Sequence, residues 1–199
     1  MKETFAILAA LLVIIGHAPY LRDLLRRKIE PHAYTWFVWS IVSGITLAGQ
    51  LVSGAGWGAL PTAVAEAFTV LILVFSLRFG FKHITRTDTV FLIIALLGLI
   101  PWLLTKDPTL SVVIAVSIDL VAFVPTLRKA YLHPETETPL LYGTNVVRHV
   151  LSLLSLSSYN GATGLPSVAM LLANGTMTVI LFATRFRKVK RPADENAQN

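Results

Sequence analysis

The sequence predicts an all-α membrane protein: seven transmembrane helices, arranged as two parallel three-helix repeats joined by a linker helix, N-terminus outside and C-terminus cytoplasmic. Three observations lead there: long stretches without a formal charge, basic residues confined to alternate connections, and short matches recurring at a nearly fixed spacing. The chain is 54% hydrophobic and 14% charged, against roughly a quarter charged in soluble domains, which excludes an ordinary soluble fold. A membrane helix takes about 20 apolar residues, so seven leave only short connections and no room for a second, soluble domain. There is no cysteine, hence no disulfide, thiol nucleophile or thiolate metal site. The net charge of +6 sits in short stretches without interleaved aromatics, which fits membrane loops and argues against a nucleic-acid partner.

An ionised side chain at the bilayer centre costs a few kcal/mol or more (roughly 3, or higher), so the charge-free gaps define the spans. Thr4 to Leu21 gives helix one. Pro31 to Ala65 holds helix two and the start of helix three, divided by the Ser53-Gly54-Ala55-Gly56 turn, and helix three continues through Glu66 to Leu77. Helix four occupies Thr89 to Thr105 and ends at the Lys106-Asp107-Pro108 turn. Helix five runs from Thr109 to Arg128 with Asp119 as its interior charge, and helix six from Thr138 to Leu156 with Arg148 as its own. After a polar turn from Ser157 to Gly164, helix seven covers Leu165 to Thr184, and the tail of residues 188–199 reads as disordered. Gly16-His17-Ala18 loosely imitates a signal-peptide cleavage site, but the nearly neutral Lys2-Glu3 start and the basic cluster that follows favour a retained helix.

Basic residues fix the orientation. Arg22, Arg26, Arg27 and Lys28 follow helix one; Arg78, Lys82 and Arg86 follow helix three; Arg128 and Lys129 follow helix five; Arg185, Arg187, Lys188, Lys190 and Arg191 follow helix seven. The opposite side carries only Lys2 and Lys106, so the positive-inside rule places the N-terminus outside in the cell (plasma or inner) membrane.

An internal repeat emerges from three anchors. Pro19-Tyr20-Leu21-Arg22 recurs as Pro125-Thr126-Leu127-Arg128, Leu60-Pro61 as Leu165-Pro166, and Arg78-Phe79 as Arg185-Phe186, at offsets of 106, 105 and 107. The repeats are residues 3–79 and 109–187, with residues 88–106 as the linker that restores their orientation.

With these helices and prolines, residues 3 to 188 resemble the SWEET and PQ-loop transporter superfamily. The Pro-Gln dipeptide of that family is represented only by its prolines, since Tyr20 and Thr126 follow Pro19 and Pro125. Pro31 and Pro139 complete a set of four that resembles the SWEET proline tetrad, and the resemblance implies hinges for an inner gate. Proline weakens a helix by removing a backbone donor, which gives the role a physical basis. The resemblance further implies a substrate asparagine on helices three and seven. Asn174 matches on helix seven, whereas helix three offers Thr69 with Glu66 one turn before it, favouring a proton-coupled or charged-substrate site over a plain sugar site. Asn145 and Trp36 join the expected substrate-binding set; Trp36 and Trp39 at i and i+3 serve either as belt residues or as a platform for a planar ring.

Counting from helix ends places the strongly polar membrane residues at one depth. Asp119 is ten residues after Thr109, Arg148 ten after Thr138, Asn174 nine after Leu165 and Glu66 eight after Gly58. Asp119, Glu66, Arg148 and the adjacent His149 are expected to form a charge network able to hold a proton, with a purely structural ion pair as the alternative. His17 is either a packing residue or a polar group near the pore. No metal-ligand spacing, phosphate loop or nucleophile-base set is present, so neither a cofactor nor an enzymatic activity is expected. The lysines at 2, 28, 82, 106, 129, 188 and 190 all lie at ends or in loops, which excludes a retinal protein. The expected partners are the lipid bilayer and a small solute (a sugar, amino acid or similar polar metabolite), with a homo-oligomer left open. A ligand-binding receptor on the same fold, or a vitamin-precursor transporter of related fold, are the other readings.

Overall fold

The computed structural model describes residues 1–28, 31, 33–80, 86–97, 100–132, 134 and 139–196, and all regular structure among them is helical. Eight α-helices follow one another: α1 (Lys2–Leu25), α2 (Ala33–Val52), α3 (Leu60–Phe79), α4 (Arg86–Leu97), α5 (Ile100–Thr105), α6 (Thr109–Leu132), α7 (Pro139–Ser155) and α8 (Gly161–Asn196). The predicted helices one, two, three, five, six and seven correspond to α1, α2, α3, α6, α7 and α8. Predicted helix four corresponds to α4 and α5, on either side of residues 98 and 99, which lie outside the described residues.

Four spans among the described residues are long and apolar enough to cross a membrane: Lys2–Leu25, Ala33–Val52, Gly56–Phe79 and Gly161–Thr184. Their outward faces are as apolar as their inward ones. On α1, Ala6, Ala9 and Val13 are buried while Ile7, Leu11 and Ile15 are exposed; on α3, Ile72 is buried while Val70, Val74 and Leu77 are exposed. A soluble bundle would turn polar residues outward, so this two-sided apolarity marks a protein embedded in lipid.

Two ends of the bundle are distinct. At one, the turns after α2, before α6 and between α7 and α8 meet: Ser157 N–H donates to Ala55 O at 2.9 Å, Asn160 Nδ2 donates to Ser53 O at 3.1 Å, and buried Gln50 Nε2 donates to Thr163 O at 3.3 Å. At the other end, the Arg27 guanidinium lies 4.8 Å from the centroid of the Phe79 ring, and Gly80 abuts the Pro31 carbonyl. Gly56 adopts φ 58°, the left-handed region that favours glycine, and opens a 3-10 turn (Gly56–Ala59) leading into α3. Asp107 accepts from the Thr109 N–H at 2.8 Å at the start of α6, a bond that holds its pKa below the usual carboxylate value.

The packing order is the same in both halves. α3 packs against both α1 and α2, and α8 packs against both α6 and α7; across the halves α1 meets α7 and α2 meets α6. α1 and α6 each span 24 residues and begin 107 positions apart, at residues 2 and 109. α4 lies against α2 and α6.

Two boundaries differ from expectation. The last helix starts at Gly161 rather than at the end of a turn reaching Gly164, because Asn160 and Thr163 cap it reciprocally: Asn160 Oδ1 accepts from Thr163 N at 3.1 Å and Thr163 Oγ1 accepts from Asn160 N at 3.0 Å. That helix also extends to Asn196, into residues 188–199. Removal of the cap is expected to matter. Asn160→Ala should cost about 1–2 kcal/mol and lower the melting temperature in detergent by roughly 2–8 °C; an unchanged melting temperature would deny the cap a stabilising role.

Candidate solute cavity

A cavity of about 440 Å³ opens between the two halves, in the lower part of the range of small-molecule sites, roughly 300–1,000 Å³. α2 contributes Trp39, Ser43 and Thr46, and α3 contributes Thr62 and Ala65. From α6 come Val116, Asp119 and Phe123; from α7 Tyr142, Arg148, His149 and Ser152; from α8 Pro166, Ser167 and Met170. Aromatic and aliphatic walls thus surround six hydroxyls, one of them the phenol of Tyr142, with one carboxyl, one guanidinium and one imidazole.

Equivalent positions recur around the wall. Ser43 and His149, like Thr46 and Ser152, stand 106 positions apart; Thr62 and Ser167, like Ala65 and Met170, stand 105 apart. These are the offsets of the sequence repeat. The halves differ where α6 supplies Val116, Asp119 and Phe123 while α1 lines no part of the cavity.

The charged residues are held apart. Arg148 Nε donates to Asn145 Oδ1 at 3.2 Å, and Arg148 Nη2 lies 2.6 Å from His149 Nε2. A guanidinium can only donate, so Nε2 accepts and the imidazole is neutral with its proton on Nδ1. That Nδ1 is buried and has no hydrogen-bond partner among the described residues. Asp119 has neither a hydrogen bond nor an ion pair among them. The Arg22–Asp23 pair, at 3.0 Å, is the only ion pair found there, so the expected pairing of Arg148 with Asp119 or Glu66 is not formed. Neutral neighbours already occupy part of the Arg148 fork.

The remaining predicted site residues are not among those that line the cavity. Glu66 is close enough to Ser43 to interact with its hydroxyl, and its buried Oε2 has no hydrogen-bond partner among the described residues. Thr69 Oγ1 donates to Ala65 O at 3.0 Å and Asn174 Nδ2 to Met170 O at 2.8 Å, so each is tied to the backbone of a cavity residue one turn earlier. Trp36 packs edge-on against Trp39, centroids 5.1 Å apart, and against Tyr20 at 5.4 Å. His17 Nδ1–H donates to Val13 O at 2.9 Å while its ring packs on Phe68. Among the prolines, Pro19 lies inside α1, Pro31 precedes α2, α6 passes through position 125, and Pro139 opens α7. The hydroxyls of Ser43, Thr46, Thr62, Ser152 and Ser167 were not singled out from the sequence. Extending the repeat register from its anchors along each helix would have paired four of them. No family model, curated protein or solved structure matches the chain.

Proposed function

We propose that the protein is a small-solute membrane transporter of the SWEET and PQ-loop type, with seven membrane helices in a 3+1+3 arrangement working by alternating access. The observation that carries this reading is the cavity lined by four pairs of repeat-equivalent positions. A site on the axis relating two repeats is one that either half can expose by rocking against the other. The exchange of partners, α1 with α7 and α2 with α6, supports the same relation. Basic residues put the Arg27 and Arg78 end in the cytoplasm and the Ser53 and Asn160 end outside. Pro19, Pro31, Pro125 and Pro139 then stand toward the cytoplasmic end, as inner-gate hinges would.

Access to the cavity tests the reading. Because the chain has no cysteine, single cysteines report cleanly. In sealed vesicles of defined orientation, Ser53→Cys should react with an impermeant thiol reagent only from outside and Arg27→Cys only from inside, whereas Ser152→Cys in the cavity should react from either side. Reaction of Ser152→Cys from one side alone would favour a receptor with a fixed opening, the second reading of this fold.

A further inference from the structure

We propose that the cavity binds a zwitterionic solute, a small molecule carrying one carboxylate and one ammonium group such as an α-amino acid. This inference rests on the solute-carrier reading and names the class of substrate. The cavity wall holds one basic group, Arg148 on α7, and one acidic group, Asp119 on α6, and they are not paired with each other. Charges in a low-dielectric interior are stable only when compensated. Arg148 contacts neutral Asn145 and His149, and Asp119 has no hydrogen-bond partner among the described residues. Among the described residues, therefore, neither charge has a counterion.

The surroundings of each charge differ in the way a zwitterion requires. Beside Arg148, the buried His149 Nδ1–H has no acceptor among the described residues. The guanidinium fork of Arg148 suits a carboxylate, which accepts through two oxygens. Near Asp119 the wall provides the ring of Phe123, four residues further along α6, and that ring packs edge-on against Tyr142 at 6.2 Å. Carboxylate and aromatic faces together suit an ammonium group. Glu66 does not line the cavity, so its wall carries balanced charge, and a zwitterion preserves that balance. A neutral sugar would leave both charges uncompensated, and a simple anion or cation would leave one.

The experiment measures binding to the purified full chain in lipid nanodiscs. The probes are L-leucine and L-phenylalanine, the amines and carboxylates that lack one of their two charges, and glucose. Binding of at least one amino acid, tenfold or more tighter than its amine and carboxylate analogues, is the expected result. Asp119→Asn should erase the preference for the amino acid over the matching carboxylate while keeping discrimination against the amine, a pattern that misfolding would not produce. Two outcomes overturn the proposal: glucose binding that is lost when the cavity is filled by Ala65→Trp, or an amine or carboxylate analogue binding as tightly as its parent amino acid. Either leaves the carrier reading standing, whereas one-sided labelling of Ser152→Cys removes that reading itself.

Discussion

Arg148→Met is expected to reduce solute uptake by about 30-fold to several thousand-fold. Truncating one member of a buried, hydrogen-bonded charge contact costs about 2–5 kcal/mol, and each 1.4 kcal/mol is about a factor of ten. Methionine roughly preserves the length of the side chain but offers no donor, so the solute's acidic group would lose its partner. The substitution also strips Asn145 Oδ1 of the Arg148 Nε donor and His149 Nε2 of the Nη2 donor, which should lower the melting temperature as well. Lysine in the same place keeps the charge without the planar fork, and Arg148→Lys should fall between wild type and Arg148→Met. Uptake into proteoliposomes, read beside melting in detergent, separates the two effects. Wild-type uptake by a folded Arg148→Met protein would remove the guanidinium from the binding site.

Gly58→Val is expected to damage the fold severely, costing about 3 kcal/mol or more and lowering the melting temperature by roughly 6–12 °C. A Cβ on Gly58 would lie 2.8 Å from Leu156 Cα and 3.1 Å from Leu156 N, so it meets backbone rather than a side chain that could turn away. The 3-10 turn is held against the end of α7 there by the Ser157 to Ala55 hydrogen bond, and Leu156 is fully buried between them. Separating the two segments would open the packing of Ala55, Ala59 and Leu156. Gly175→Ala is the contrast. Its Cβ would meet no heavy atom within 4 Å, and replacing a mid-helix glycine there should be neutral or stabilising by up to about 1 kcal/mol. Equal melting temperatures for the two variants would mean that the close approach at Gly58 is not a constraint.

The helical class and the apolar spans were legible because a buried charge is costly, so the charge-free gaps trace the membrane helices directly. The boundary at residues 53–56 was legible for a local reason, as Gly56 occupies a conformation that other residues avoid. The start of the last helix was not, because its cap depends on Asn160 and Thr163 pairing with each other and on Asn160 reaching across to Ser53.

Position along a helix was more legible than direction around it. Counting residues from a helix end gives height along the axis but not azimuth, and successive residues point about 100° apart. Asp119, Arg148 and His149 line the cavity, whereas Glu66, one residue beyond cavity-lining Ala65, does not and instead interacts with the Ser43 hydroxyl. Thr69 and Asn174 occupy equivalent places in the two halves, yet each is tied to the carbonyl four residues earlier. The serines and threonines of the wall carry no individual signal, since hydroxyls are common in membrane helices.

Counterflow is the measurement that tests the central claim most directly. Proteoliposomes containing the full chain are preloaded with an unlabelled solute and diluted into a trace of the same solute in labelled form, with amino acids and hexoses tried in turn. A carrier with an alternately exposed cavity predicts transient accumulation of label above its equilibrium level for at least one solute, abolished in Ala65→Trp, where the new ring fills the space between the two halves. Absence of counterflow for every solute, or counterflow that persists undiminished in Ala65→Trp, would contradict the assignment of that cavity as a transport site.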